Sequence, residues 1–257
     1  MKERKTLFRF MLDDLKKNQA PIKEEYNYIG TGNPLADILL IGKECSVSRQ
    51  GNSKQYKEEI VDNFKMWCTV EDFDTGKINE HDFGNYNPLY PYKGQLLKKD
   101  NGSNLGTSVT WMNYQKLFNF IYNTPNHNEI SFHEKAFITE VNSTPSRKTI
   151  EANTESIAYR KEHVLNSDFF DSFPIVILSG VGYFNKTGDM NEIEQLFKVR
   201  FTEKRYASEN NRQPYWIHRN DDRTKILINT YQLSIGVGTN LLREIAEVIK
   251  KSGLLKV

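Results

Sequence analysis

Polar side chains that could take part in chemistry gather in four segments of this 257-residue sequence. Each directly follows a short apolar run, and the four cover residues 42–46, 140–144, 179–182 and 229–234. Ligands of open parallel sheets bind beyond the carboxyl ends of the strands. If the apolar runs are neighbouring strands, the polar segments meet at one edge of a sheet. The sequence therefore predicts a functional crevice there.

The first of these segments offers two different chemistries. Glu44 directly follows the apolar run, where a carboxylate could activate a water molecule or stabilise a developing cation. It could also simply cap the following turn. Cys45 could act as a nucleophile, because a thiolate gains from exposed backbone N–H groups at a strand-to-helix turn. A lone cysteine is more often a small buried side chain, so these alternatives stay open.

The last segment leads into a predicted helix through Ser234, Gly236, Gly238 and Thr239. Glycines before a helix N-terminus let backbone N–H groups approach an anion, typically a phosphate. The complete dinucleotide fingerprint and the Gly-Lys-Ser/Thr phosphate loop do not occur in the sequence. The alternative is a tight turn in which Thr239 caps the helix.

Residue spacing gives no support for a metal site or a disulfide framework. The 5 histidines show no metal-binding spacing, no Cys-x-x-Cys occurs, and 2 cysteines are too few for a disulfide scaffold. We therefore expect no metal, no cofactor and a reducing, cytoplasmic setting. No apolar run approaches the length of a membrane span, so a membrane is not an expected partner. A monomer is the expected state.

Residues 198–225 combine positive charge with aromatic rings. They include 8 Lys or Arg against 4 acids, and the aromatic residues Phe201, Tyr206, Tyr215 and Trp216 lie among them. Cations neutralise phosphates while rings stack on bases, so this composition suits a polyanion with stackable bases, that is, a nucleic acid. The alternative is an ordinary solvated hairpin.

Strands and helices alternate in the elements that must position these residues. Continuous apolar runs at 36–42, 136–141, 174–179 and 225–229 predict strands buried on both faces. Helical spacings of apolar residues lie before, between and after them. This alternation predicts an α/β fold. We expect a single domain over 1–257 with a small, four-stranded parallel sheet flanked by helices.

Two segments fall outside this alternation. Residues 1–27 predict an amphipathic N-terminal helix, ending near Asn18, and a lead-in to the first strand. Residues 69–109 show no clear period and predict a long loop insertion, a kind of segment that is usually functional. The helix after this loop has a possible cap at Thr110.

Order and content of the motifs resemble the uracil-DNA glycosylase superfamily over roughly residues 28–250. Residues 36–45 resemble the family's first motif, an apolar strand that ends in glycine and a water-activating acid. Residues 137–142, followed by Pro145 and Arg147, resemble the second strand, where an asparagine often reads the flipped base. Residues 174–180 resemble the third strand. Residues 227–234 resemble the final His-Pro-Ser motif, with Asn229 at the position of the histidine.

The resemblance implies metal-free hydrolysis of an N-glycosidic bond, with the target nucleotide flipped out of the DNA stack. Glu44 would orient the water, Glu140 or Asn142 would read the base, and Asn229 would contact the leaving base. The turn formed by Ser234, Gly236, Gly238 and Thr239 would hold a flanking phosphate. A tyrosine of the long loop, Tyr90, Tyr86 or Tyr92, would stack on the base.

Three hypotheses follow from the sequence. The first is a DNA glycosylase for uracil or another deaminated base. The second is a catalytically inactive relative that binds nucleic acid or nucleotides, favoured because Asn229 replaces a histidine. The third is an unrelated hydrolase with Cys45 as nucleophile.

Overall fold

The architecture is taken from a computed structural model. It describes residues 2–17, 23–44, 52–78, 86–97, 107–125, 129–146, 149–180, 182–187, 190–207 and 213–256.

The described strands form one large mixed sheet and a short two-stranded ribbon. The strands are β1 (Thr31–Gly32), β2 (Ile38–Glu44), β3 (Ala136–Asn142), β4 (Ile175–Leu178), β5 (Lys186–Thr187), β6 (Met190–Asn191), β7 (Arg200–Tyr206), β8 (Pro214–Arg219) and β9 (Ile226–Thr230). The large sheet has the order β1-β3-β2-β4-β9-β8-β7, and β5 pairs with β6. The pairs β3–β2, β2–β4 and β4–β9 are parallel. The outer strands β1, β8 and β7 pair antiparallel with their neighbours.

Helices cover both faces of this sheet. They are α1 (Lys2–Lys17), α2 (Ser53–Tyr56), α3 (Asn63–Thr69), α4 (Val109–Tyr122), α5 (Thr154–Tyr159), α6 (Asp168–Asp171), α7 (Glu192–Phe197) and α8 (Thr239–Ser252). A π-helical turn, Lys57–Val61, lies between α2 and α3, and a second, Arg160–Leu165, continues α5.

Alternating side chains of the central strands divide the core in two. On β2, Ile38 and Leu40 pack with residues of α4 and α8 on what we call the first face. Leu39 and Ile41 pack with residues of α1, α3, α6 and α7 on the second face. Because both faces are covered, the parallel strands are continuously apolar, which is why their sequence pattern was recognisable. The α/β prediction is confirmed.

The sheet is larger than the predicted four-stranded one, and it is mixed rather than wholly parallel. β1 has only two residues and leaves no readable pattern. β7 lies at the edge of the sheet and is exposed along nearly its whole length. A strand that buries neither face has no alternation of polar and apolar residues, so composition alone indicates this stretch. The antiparallel pairing of β7 with β8 agrees with the hairpin alternative.

The predicted loop 69–109 is partly integrated into the fold. Leu89 and Tyr90 are buried, and Leu96 forms an isolated bridge with Glu129. Residues 79–85 and 98–106 of this segment lie outside the described residues. The following helix is capped by Ser108, whose hydroxyl accepts a hydrogen bond from the Trp111 N–H at 3.1 Å, and not by the predicted Thr110.

Within the described part of the chain, every helix is too short or too polar to cross a membrane.

Candidate functional site

Glu44, Glu140 and Asn142 meet at the carboxyl ends of the neighbouring strands β2 and β3. The parallel register places Gly42 beside Glu140 and Glu44 beside Asn142. Side chains two residues apart on a strand point to the same face. Gly42 and Glu140 share the parity of Ile38 and Leu40, so they belong to the first face, and Glu44 and Asn142 lie two residues further on at the strand ends. The predicted water-activating and base-reading residues are therefore brought together.

Glu140 is held in surroundings that favour the neutral acid. Its Oε2 atom is buried and has no hydrogen-bond partner among the described residues. Burial, and then the charge of Glu44, raise the pKa of Glu140 to about 8, while Arg160 opposes the shift. A carboxyl group with this pKa is largely protonated at neutral pH, so it can donate one hydrogen bond and accept another.

Gly42 leaves the space that the Glu140 carboxyl group occupies. A Cβ atom at position 42 would lie 2.1 Å from Oε2 of Glu140. The predicted strand-ending glycine therefore has a local steric reason, because any side chain there would displace the carboxyl group.

We expect Gly42→Ala to move the Glu140 carboxyl group out of its buried position at small cost to stability, about 1 kcal/mol or less, because the end of a flexible side chain can shift. The pKa of Glu140 should then fall towards its ordinary value. Carboxyl-selective ¹³C NMR titration, assigned with Glu140→Gln, measures this pKa. Gly76→Ala, at an exposed glycine, is the matched control; an unchanged Glu140 pKa in Gly42→Ala would contradict the expectation.

Glu44 and Asn142 are held by neighbouring polar groups. The Tyr183 hydroxyl donates a hydrogen bond to Oε2 of Glu44, and burial together with this carboxylate raises the pKa of Tyr183. Oδ1 of Asn142 accepts hydrogen bonds from the Thr144 N–H at 3.0 Å and the Thr144 hydroxyl at 2.7 Å. Nδ2 of Asn142 is buried, and the Asn142 side chain also contacts the Tyr183 hydroxyl, where it opposes the rise of the Tyr183 pKa. Glu44 and Asn142 thus both contact the Tyr183 hydroxyl at the strand ends.

A cavity of about 340 Å³ opens beside Glu140. This volume lies within the range of small-molecule sites. Its lining is rich in aromatic rings and amide groups; the lining residues are Tyr28, Thr31, Asn52, Gln55, Glu59, Ile60, Tyr86, Pro91, Tyr92, Gln95, Thr107, Ser108, Trp111, Ile138 and Glu140. We call it the first cavity. It combines flat rings with a few hydrogen-bonding groups, which suits a planar polar ligand.

Glu59 is a second carboxyl group of the first cavity. Its Oε1 atom accepts hydrogen bonds from the Tyr92 hydroxyl and, at 2.7 Å, from Nε2 of Gln55. Burial raises the pKa of Glu59, and these hydrogen bonds oppose the rise. The sequence does not predict Glu59 as a site residue, because its neighbours in sequence show only a helical pattern. Its place in the first cavity depends on how this helical segment packs on the sheet.

A buried asparagine fixes one wall of the first cavity. Oδ1 of Asn63 accepts hydrogen bonds from the N–H groups of Ile29 and Gly30, at 2.9 and 3.2 Å. Its Nδ2 donates to the Gly30 carbonyl and to the Tyr86 hydroxyl, at 3.0 and 3.2 Å. Asn63 therefore ties the lead-in before β1 to the ring of Tyr86.

Tyr90, named first among the stacking candidates, is in the core. It is 1 % exposed, and its hydroxyl donates to the Ile130 carbonyl at 2.9 Å. Tyr86 and Tyr92, the other two candidates, line the first cavity. The fold thus brings two of the three tyrosines to the site and uses Tyr90 to pack the loop.

Asn229 lies on the other side of the sheet. It pairs in register with Leu178 of β4, and Leu178 packs on the second face. Asn229 lines a different cavity together with Trp216 and His218. The structure therefore does not bring Asn229 to the first cavity beside Glu140.

The turn before α8 is fastened to the protein at two points. Nδ2 of Asn113 donates to the Ser234 carbonyl at 3.0 Å, and Nε2 of Gln213 donates to the Gly236 carbonyl at 3.1 Å. Gly236 has a φ of +88°, which favours glycine, and Gly238 rather than Thr239 is the N-cap. This geometry forms the tight turn; phosphate binding by Ser234, Gly236, Gly238 and Thr239 stays a prediction.

Much of the positive charge in 198–225 is already paired. Lys198 and Lys225 both contact Asp171. Arg205 contacts Glu203 at 2.7 Å, and Arg200 lies 3.6 Å from Asp221. Lys204 instead lies over the rings of Tyr206 and Trp216, at 4.8 and 5.6 Å from their centroids. The charged stretch therefore offers fewer free cations than its composition indicated.

Neither comparison with known proteins nor a search for metal-ligand groups identifies the site. No known family model matches the chain, and no curated protein matches it in sequence. Among the described residues, no group of three or more His, Cys, Asp or Glu side chains could hold a metal ion. Cys45, the alternative nucleophile, lies outside the described residues.

Proposed function

We propose that this protein is a divergent member of the uracil-DNA glycosylase superfamily that hydrolyses the N-glycosidic bond of a flipped-out base held in the first cavity. The observation that carries the proposal is that Glu140, which lines an aromatic cavity of about 340 Å³, meets Glu44 and Asn142 at the carboxyl ends of β2 and β3. The sequence resemblance supports the same assignment.

Glu44 would act on water and on the sugar. Its carboxylate lies at the end of β2, held by the Tyr183 hydroxyl. From there it would orient a water molecule and stabilise the positive charge that develops on the sugar as the base leaves. The hydrogen bond from Tyr183 would keep one carboxylate oxygen fixed while the other faces the water.

Glu140 would read the base. A neutral carboxylic acid can donate its O–H to a carbonyl oxygen and accept an N–H on its other oxygen. Uracil and hypoxanthine present an N–H next to a carbonyl group, so the neutral acid fits this edge. Cytosine presents an amino donor beside an unprotonated ring nitrogen, which a neutral acid can also meet, so Glu140 alone does not discriminate against cytosine. Tyr86, Tyr92 or Trp111 would stack on the base.

An oligonucleotide cleavage assay tests the proposal. Purified protein with a chelator is incubated with single- and double-stranded oligonucleotides that contain uracil, hypoxanthine, xanthine or a mismatch, and alkali then reveals abasic sites. We expect cleavage of uracil or hypoxanthine substrates.

Glu44→Gln should lower the rate of this cleavage by at least about a hundredfold, the contribution typical of a positioned acid or base. Glu162→Gln, at a side chain that is 74 % exposed, is the matched control and should keep full activity. Cleavage that survives in Glu44→Gln would reject the role of Glu44, and absence of cleavage of every substrate would reject the glycosylase.

A binding protein without cleavage is the second candidate. The observation that favours it is the position of Asn229, which replaces the family's histidine and lies on the second face, on the opposite side of the sheet from Glu140. Salt-sensitive binding of the same oligonucleotides without abasic sites would select this function.

A further inference from the structure

A second cavity, of about 570 Å³, lies on the second face of the sheet. The side chains that carry the argument are Phe184, Glu194, Phe201, Trp216, His218 and Asn229. In the register of β7, β8 and β9, Phe201 lies beside His218 and Trp216 lies beside Asn229. These residues therefore form one continuous surface, on the opposite side of the sheet from Glu140.

Two buried polar atoms of the second cavity have no hydrogen-bond partner among the described residues. They are Nδ1 of His218 and Oδ1 of Asn229. His218 is 3 % exposed, and its Nδ1 lies 3.9 Å from Oε1 of Glu194, too far for a hydrogen bond. Oε1 of Glu194 already accepts hydrogen bonds from Asn191 Nδ2 and the Phe201 N–H, both at 3.0 Å.

Unpartnered buried polar groups are costly, on the order of 1–3 kcal/mol each. Burial also lowers the pKa of His218 to about 4, so the imidazole is neutral at neutral pH and can meet a polar, uncharged ligand. A ligand that supplied hydrogen bonds to both atoms would remove these costs.

The walls of the second cavity suit a flat, aromatic ligand. Phe201 is 50 % exposed, and Trp216 makes an edge contact with the half-exposed ring of Tyr231 at 6.0 Å between centroids. Nζ of Lys204 lies 5.6 Å from the Trp216 ring centroid, and Lys186 lies at the rim. Aromatic rings beside cations are the combination that binds stacked bases and their phosphates.

We propose that the second cavity binds a nucleobase. Oδ1 of Asn229 would accept from an amino or ring N–H group, Nδ1 of His218 would form a second hydrogen bond with the base edge, and Trp216 would stack on its face. Lys204 and Lys186 would lie near the attached phosphate. The site is separate from the first cavity and would hold an additional unpaired nucleotide or a free nucleotide.

Fluorine NMR of protein labelled with 5-fluorotryptophan distinguishes ligand binding in the first cavity from ligand binding in the second. The chain has 3 tryptophans. Trp216 reports on the second cavity, Trp111 lines the first, and Trp67 is fully buried and serves as an internal reference for folding. Resonances are assigned with single Trp→Phe variants. The probes are the four deoxynucleoside monophosphates and single-stranded octamers of each base.

We expect at least one probe to shift the Trp216 resonance in a saturable way. Saturation by monophosphates would identify a free nucleotide as a sufficient ligand, and saturation by octamers alone would identify single-stranded nucleic acid. His218→Phe replaces the imidazole with an aromatic ring that has no nitrogens, and it should weaken this binding by about tenfold or more. His163→Phe, at a partly exposed histidine, is the control and should leave the affinity unchanged.

A Trp216 resonance that none of the probes moves at millimolar concentration would overturn the proposal, as would equal affinity of His218→Phe and the wild type. The proposed glycosylase has separate readouts. A response of Trp111, or cleavage of an oligonucleotide, without any response of Trp216 would reject the second site alone.

Discussion

Glu140→Gln is expected to make the protein more stable than the wild type at pH 8.5, by roughly 3–5 kcal/mol, and about equally stable near pH 4.5. Each unit of pKa shift corresponds to about 1.4 kcal/mol, and burial and Glu44 raise the pKa of Glu140 from 4.5 to about 8. Below pH 4.5, the pKa of Glu140 in the unfolded chain, the carboxyl group is neutral in both states and the protein keeps its full stability. As the pH rises from there to about 8, the pKa in the folded protein, the wild type progressively loses stability, because only the unfolded chain ionises freely. The glutamine cannot ionise, so the variant avoids the loss.

Urea unfolding at a series of pH values from 4.5 to 8.5 measures this effect. The difference in the free energy of unfolding between variant and wild type should grow steadily with pH across this window. Glu162→Gln serves as the control and should show a difference that does not depend on pH. A flat difference for Glu140→Gln as well would mean that Glu140 ionises freely in the folded protein.

The same substitution also tests how Glu140 reads a base. The glutamine amide, like the neutral acid, has one donor and one acceptor side. We therefore expect Glu140→Gln to retain cleavage of uracil or hypoxanthine at pH 7 and to lose the decline in rate that the wild type should show above pH 8. A variant rate that still declines above pH 8 would assign that pH dependence to another group.

Arg160→Met should lower the free energy of unfolding by about 3 kcal/mol or more. Arg160 is fully buried, and its guanidinium group donates to the Tyr28 carbonyl, to the Glu140 carbonyl at 3.0 Å and to the Thr139 hydroxyl at 2.9 Å. Hydrogen bonds from a charged donor contribute about 1.5–3 kcal/mol each, and loss of the donor leaves buried acceptors unsatisfied. Relief of the buried charge offsets part of this cost.

Arg160 also connects stability to the site, because it joins the lead-in that carries Tyr28 to the strand that carries Glu140. Since its charge lowers the pKa of Glu140, removal of that charge should raise this pKa further. Urea unfolding gives the stability, and the ¹³C titration described for Gly42→Ala gives the pKa. Arg243→Met, at an exposed arginine of α8, should change neither. A loss below about 1 kcal/mol in Arg160→Met would contradict the structural role.

The sequence by itself determined the central strands and part of the site. The predicted runs 36–42, 136–141, 174–179 and 225–229 lie within two residues of β2, β3, β4 and β9 at either end. A strand covered on both faces must be continuously apolar, so this constraint is local and can be read from the sequence. The polar residues at the ends of β2 and β3 then had to meet, because the two strands are parallel neighbours.

Only the tertiary structure decided on which face of the sheet each polar side chain lies. Glu140 and Asn229 were both predicted at one crevice, yet they lie on opposite faces. Glu140 is in register with Gly42, on the first face, whereas Asn229 is in register with Leu178, on the second face. A shift of one residue reverses the face of a side chain, and a continuously apolar strand carries no alternation from which the face could be read. The walls of the first cavity also depend on tertiary packing, because Glu59, Trp111 and Asn63 come from helical segments far from β3 in sequence. Their positions follow from the way those helices cover the sheet, and no local pattern in the chain specifies that arrangement.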